Sequence, residues 1–150
     1  MSNYTNLEPY KQQVADYFNG RTNYDGSVFA NNRANRFLEL LPLKKGYKVL
    51  DIATGTGFVA IPAAEIVGSQ GKVVGVDIAS VLLKQAQDKI DILNLRNIEL
   101  IEVDAEYLNF NENSFDAVLC CSAVMVFQNI SAAFKDWYRF LKIGRASCRE

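Results

Sequence analysis

Val49-Leu50-Asp51-Ile52-Ala53-Thr54-Gly55-Thr56-Gly57 decides the fold. The apolar run from Tyr47 to Ile52 is short, rich in β-formers and closed by glycine, which predicts a buried strand. Phe58 to Val67 has helical composition and stops at Gly68; Pro62 suits that helix only within its first turn. Gly55 and Gly57 carry no Cβ, so the chain can turn sharply and a ligand can approach bare amides. A strand, turn and helix of this kind present those amides at the carboxyl edge of a sheet, the ligand crevice of an α/β fold.

Two classes of ligand compete for that crevice. Gly55-x-Gly57-x-x-Ala60, with Asp77 about twenty residues further on, fits the dinucleotide fingerprint. An NAD(P)-binding oxidoreductase is therefore one alternative reading, and an inactive fragment of an enzyme is the other. Asp51 separates the two: at the strand end, its carboxylate repels a pyrophosphate and welcomes an ammonium group. S-adenosylmethionine carries such a group, a carboxylate suited to bare amides, and a ribose diol suited to Asp77.

Asp51-x-Ala53-x-Gly55-x-Gly57 resembles the first motif of class I S-adenosylmethionine-dependent methyltransferases, the broad group that includes ubiquinone and menaquinone C-methyltransferases. Ala53 stands where the family usually has its first glycine, so a slightly tighter turn with binding retained is expected. Further landmarks follow in family order. Lys72 to Asp77 reads as a second buried strand ending in an acid, and Ile98 to Val103 as a third, closed by Asp104-Ala105-Glu106. Ser114-Phe115-Asp116 opens a fourth strand that runs to Cys121 and matches the family's S-F-D-x-V phrase. The resemblance covers about residues 20 to 142.

The resemblance implies an α/β, Rossmann-like doubly wound sheet of order 3-2-1-4, then 5-7-6. Strands 5-7-6 are expected to be missing here, leaving a partial, C-terminally truncated fold in which the fourth strand is an apolar edge. It assigns Asp51, Ala53, Thr54, Gly55, Thr56 and Gly57 to the turn that holds the cofactor. Asp77 and the adjoining Ile78 fall to the ribose, Asp104 to the exocyclic amine of adenine, Ala105 to the ring face, and Cys121 to the end of the fourth strand. Tyr17, Tyr24, Asp25 and Ser122 are the candidates for the lining of a small-molecule acceptor pocket. The implied chemistry is in-line attack of an acceptor C, O or N atom on the sulfonium methyl, with alignment as the protein's main contribution. No catalytic residue is assigned, since a base is needed only when the acceptor must shed a proton.

The rest of the chain frames this core. Residues 1–46 read as a helical cap, 47–142 as the cofactor-binding core, and 143–150 as a tail unlike the family and similar to a translated sequencing adapter. In the cap, Glu8 to Phe18 puts Val14, Tyr17 and Phe18 on one helix face, and Arg33 to Leu41 forms a second helix stopped by Pro42. Ser80 and Ser131 are read as N-caps of helices through Leu93 and Leu141, the latter with an apolar stripe of Phe134, Trp137, Tyr138 and Leu141. Lys84, Asp88, Lys89 and Asp91 read as a solvated face. A net charge of −1 over 150 residues offers no electrostatic case for nucleic acid, and no apolar run reaches membrane-spanning length. With three cysteines, two of them adjacent, and no histidine, neither a disulfide framework nor a metal site is expected, and the cytoplasm is the simplest compartment.

Overall fold

The computed structural model describes residues 7–21, 25 and 28–144. Its centre is a parallel sheet of β1 (Lys48–Ile52), β2 (Lys72–Asp77), β3 (Ile98–Glu102) and β4 (Ala117–Cys120), in the order β3-β2-β1-β4. The register sets Asp51 beside Gly75 and Leu119, and Asp77 beside Glu102. β1 and β2 are buried almost throughout, as strands covered on both faces must be. Order reverses at β1, so the crevice outside the carboxyl ends of β1 and β4 is the switch point where such sheets bind ligands.

Two apolar layers hold the sheet. On one face Leu50, Ile52, Val74 and Val76 pack with Phe115, Phe127, Trp137 and Phe140, and α5 (Ile130–Arg139) supplies the indole. On the other, Val49, Val73 and Leu119 meet α3 (Ala60–Val67) and Ala34, Phe37 and Leu38 of α2 (Val28–Glu39). Pro62 falls in the first turn of α3, where its missing N–H costs nothing. α1 (Pro9–Asn19) lies against α4 (Ser80–Ile92), which packs on β3. No helix among the described residues is long and apolar enough to cross a membrane.

Several local expectations are corrected. Ala79, not Ser80, is the N-cap of α4 and has no side-chain cap bond; Asp77 Oδ1 instead accepts from the Ala79 amide at 2.8 Å. Asn129, not Ser131, caps α5, its side chain accepting from Ala132 N at 3.0 Å. In α1 the buried residues are Lys11 and Ala15, while Tyr17 is 63% exposed. α2 starts at Val28, before the expected Arg33, and Leu40 beyond it is exposed. β4 is shorter than expected because Phe115 pairs with Leu141 in an isolated parallel bridge. Asp116 is fixed there by the Lys48 amide and the Lys142 ammonium, each at 2.9 Å. The tail expectation falls largely on 145–150, outside the described residues.

Candidate cofactor site

The turn after β1 is held from below. Ala53, Gly55 and Gly57 all have positive φ, at 53°, 56° and 83°. For Ala53 that left-handed backbone costs about 1–2 kcal/mol. Ala53→Gly should relieve it, less the extra chain entropy, for a net gain of about 0.5–1 kcal/mol. Urea unfolding checks this; a loss of stability would mean that the Ala53 methyl packs usefully.

Asp51 is 1% exposed and accepts from Thr54 Oγ1 at 2.6 Å, so one carboxylate oxygen braces the turn. Burial, helped by the Asp77 charge and opposed by Thr54 and the Ala60 amide, pushes its carboxyl up to about 7. A folded value raised from 3.8 favours the protonated fold, so stability present at acid pH is lost as pH rises towards and through about 7. Binding of an ammonium group requires the anion and strengthens over the same interval. Melting curves from pH 5 to 8 should show the free protein's midpoint falling while the upward shift caused by S-adenosylmethionine grows. A ligand-induced shift that shrinks as pH rises over that range would contradict this.

Asp77 closes the other side. Its Oδ2 accepts from the Gly55 amide and its Oδ1 from the Ala79 amide, both at 2.8 Å. Burial pushes the carboxyl up, and these amides partly offset it. Each oxygen retains a lone pair for a further donor. One strand over, Asp104 is 3% exposed; its Oδ1 accepts from Glu106 N at 3.0 Å and from Lys11 Nζ at 3.3 Å, whereas Oδ2 is buried with no partner. A buried orphan acceptor asks for a donor from outside the chain.

These groups line one cleft in two parts. A narrow inner part, about 70 Å³, is lined by Asp77, Ile78, Asp104 and Ala105 below and by Lys11, Val14 and Phe18 of α1 above. A wider part, about 560 Å³, is lined by Asp51, Thr54, Tyr10, Tyr17, Arg21, Arg33 and Met125. Ala53, Gly55, Cys121 and Ser122 border both parts. Ser122, at φ 64°, accepts from Arg33 Nη1 at 2.9 Å.

Not every expected residue reaches this cleft. Thr56 is fully buried and donates to Asp25 Oδ1 at 2.6 Å, while Asp25 Oδ2 pairs with Lys89 at 3.0 Å. Asp25 and Gly57 line a separate hollow beyond the turn, so Asp25 clamps the turn from outside, and Lys89 does not belong to a purely solvated face. Gly57 matters for packing: a Cβ there would sit 3.0 Å from Ile61 Cδ1. Tyr24 lies outside the described residues. Sequence reasoning missed Lys11, Arg21 and Arg33. Lys11 carried one signal, its place four residues before Ala15 and seven before Phe18, on the face that docks.

Two adjacent strand-end carboxylates, a left-handed glycine turn and a buried acceptor with no partner lie together at the switch point of an α/β domain. The comparisons carry this further. Residues 49–144 match the model of a methyltransferase domain, and the chain belongs to that family. It is 36% identical over 138 residues to aklanonic acid methyltransferase DauC from Streptomyces sp. (strain C5), covering 90% of this chain and 63% of that one. With the ubiquinone/menaquinone biosynthesis C-methyltransferase UbiE of Haemophilus ducreyi it shares 39% identity over 103 residues, or 68% of this chain and 40% of the relative. Among solved structures, phospholethanolamine N-methyltransferase 2 of Haemonchus contortus, in complex with phosphomonomethylethanolamine and S-adenosylhomocysteine, matches with a TM-score of 0.69 and 29% identity over 76% of this chain and 26% of that one. The chain thus spans less than two thirds of the length of these relatives. The expected class I, Rossmann-like fold with strand order 3-2-1-4 is present. The oxidoreductase alternative is not favoured.

Proposed function

We propose that this chain binds S-adenosylmethionine and supports transfer of its methyl group to a small acidic acceptor. The observation that carries the reading is the unpartnered, buried Asp104 Oδ2, one strand away from the Asp77 carboxylate in the same narrow pocket. Asp104 Oδ2 accepts from the exocyclic amine of adenine, Asp77 from the ribose hydroxyls, and Asp51 faces the methionine ammonium. When bound, the cofactor supplies an activated methyl on a sulfonium. Val14 and Phe18, which line the inner pocket from the α1 side, cover the bound nucleoside and exclude water from it.

The wider part of the cleft receives the acceptor. Its aromatic and thioether walls suit a flat apolar frame, and Arg21 and Arg33 give the lining a positive charge that suits an acidic acceptor. The name of the relative DauC, an acid's methyltransferase, agrees with that polarity. An acceptor already anionic needs no base, which suits a site in which no catalytic base is assigned. Calorimetry on the Asp51→Asn variant tests the cofactor half: S-adenosylmethionine should bind more weakly and adenosine nearly as before. Equal losses for both ligands would reduce Asp51 to a brace for Thr54.

A further inference from the structure

A lysine buried in the wall of a nucleoside pocket needs an explanation. Lys11 is 4% exposed, on a helix otherwise peripheral to the sheet. Its ammonium pairs with Asp104 Oδ1 at 3.3 Å and with Glu106 Oε2, and lies 5.3 Å from the centre of the Phe127 ring. Burial pushes the Glu106 carboxyl up, but hydrogen bonds from Lys11 and from the Asn129 and Gln128 amides outweigh it, and the carboxyl sits below its usual range. α1 is itself pinned across the cleft: Tyr10 Oη donates to Val126 O at 3.3 Å, and Asn19 Oδ1 accepts from Val81 N at 3.0 Å. The position of the ammonium is therefore fixed by the docking of the whole helix. The buried Asp104 and the partly buried Glu106 carboxylates are tolerated side by side because this cation lies between them.

The arrangement divides the labour of one carboxylate. Asp104 Oδ1 is filled by Lys11 and the Glu106 amide, and Oδ2 is left to the pocket. We infer that Lys11 is a positioning residue for purine recognition: by holding Asp104 Oδ1 it presents Oδ2 as an acceptor that takes a 6-amino purine and rejects a 6-oxo purine. This rests on the cofactor reading above and adds a residue from the helical cap to the specificity of the nucleoside pocket. The contacts of Lys11 with Asp104, Glu106 and the Phe127 ring all run through its ammonium, so the role is one of charge and direction. Without the Lys11 contact, Asp104 Oδ1 keeps only the Glu106 amide, and the carboxylate can turn so that Oδ2 no longer faces the pocket as a fixed acceptor.

The test is calorimetric titration of the whole chain with S-adenosylhomocysteine and with its deaminated analogue S-inosylhomocysteine, using wild type, Lys11→Met and Lys11→Arg. Methionine keeps the length and apolar stem and removes the charge. Wild type should prefer the amino ligand by about 10- to 100-fold, the usual range for a hydrogen bond to a charged group. Lys11→Met should reduce that preference to about threefold or less, and Lys11→Arg should restore most of it. If Lys11 serves packing alone, both ligands weaken together in Lys11→Met and the ratio holds, which overturns the inference. If wild type binds neither ligand, the cofactor reading itself fails; if it binds both equally, only the role of Asp104 and Lys11 fails. Should Lys11→Met not fold, Lys11→Gln takes its place: a preference reduced to about threefold or less supports positioning, and a preference held at the wild-type ratio overturns it.

Discussion

Trp137→Ala is expected to remove about 3–5 kcal/mol of stability, the range for deleting a buried large aromatic. The indole is 2% exposed and packs edge-to-face against Phe127 and Phe134, with ring centres 5.0 and 5.4 Å away. Its Nε1 donates to the Ala105 carbonyl at 2.7 Å, so truncation opens a cavity and orphans a buried acceptor together. Against a total of about 5–15 kcal/mol for an ordinary domain, this is a large share. Ala105 also borders the inner pocket, and nucleoside affinity should fall with stability. Trp137→Phe separates the effects: it retains most of the packing, loses the hydrogen bond, and should cost about 1–2 kcal/mol. Urea unfolding measures both; a Trp137→Ala loss below about 1 kcal/mol would be incompatible with the packing described.

Asp77→Ala is expected to weaken S-adenosylmethionine by about a hundredfold or more while the chain stays folded. Two losses combine. The ribose diol loses a charge-assisted partner, and the Gly55 amide loses the oxygen that anchors the left-handed turn to β2. Ala79 N, on a fully buried residue, loses its partner as well. Asp77→Asn keeps one acceptor oxygen and should recover part of the affinity. Unchanged binding in a folded Asp77→Ala protein would remove the ribose assignment.

Much of this is legible in the sequence. The runs Lys72–Asp77 and Ile98–Glu102 are short, apolar and β-branched, each ending near an acid, and they became adjacent parallel strands. Asp51, Asp77 and Asp104 could be placed because strand ends are rigid points whose position follows from topology. Helix starts were less legible. Serine is a good cap in isolation, yet at Ala79 the Asp77 carboxylate had already taken the free amide, and Asn129 lay two residues ahead of the expected cap. Asp25 could not be placed because its partners, Thr56 and Lys89, are set by how a distant loop folds back. Lys11 was missed for a physical reason: a lysine on an amphipathic helix is normally solvated, and only the tertiary meeting with Asp104 and Glu106 makes burial tolerable.

The most direct test of the central claim is a competition on the unmodified chain. It is titrated with S-adenosylhomocysteine and, separately, with NADH, each followed by adenosine as competitor. The account predicts saturable binding of S-adenosylhomocysteine, displaced by adenosine and abolished or strongly weakened in Asp77→Ala, with no saturable binding of NADH. Saturable NADH binding together with no heat from S-adenosylhomocysteine would contradict it, because the carboxylate of Asp51 would then sit beside a pyrophosphate instead of an ammonium group.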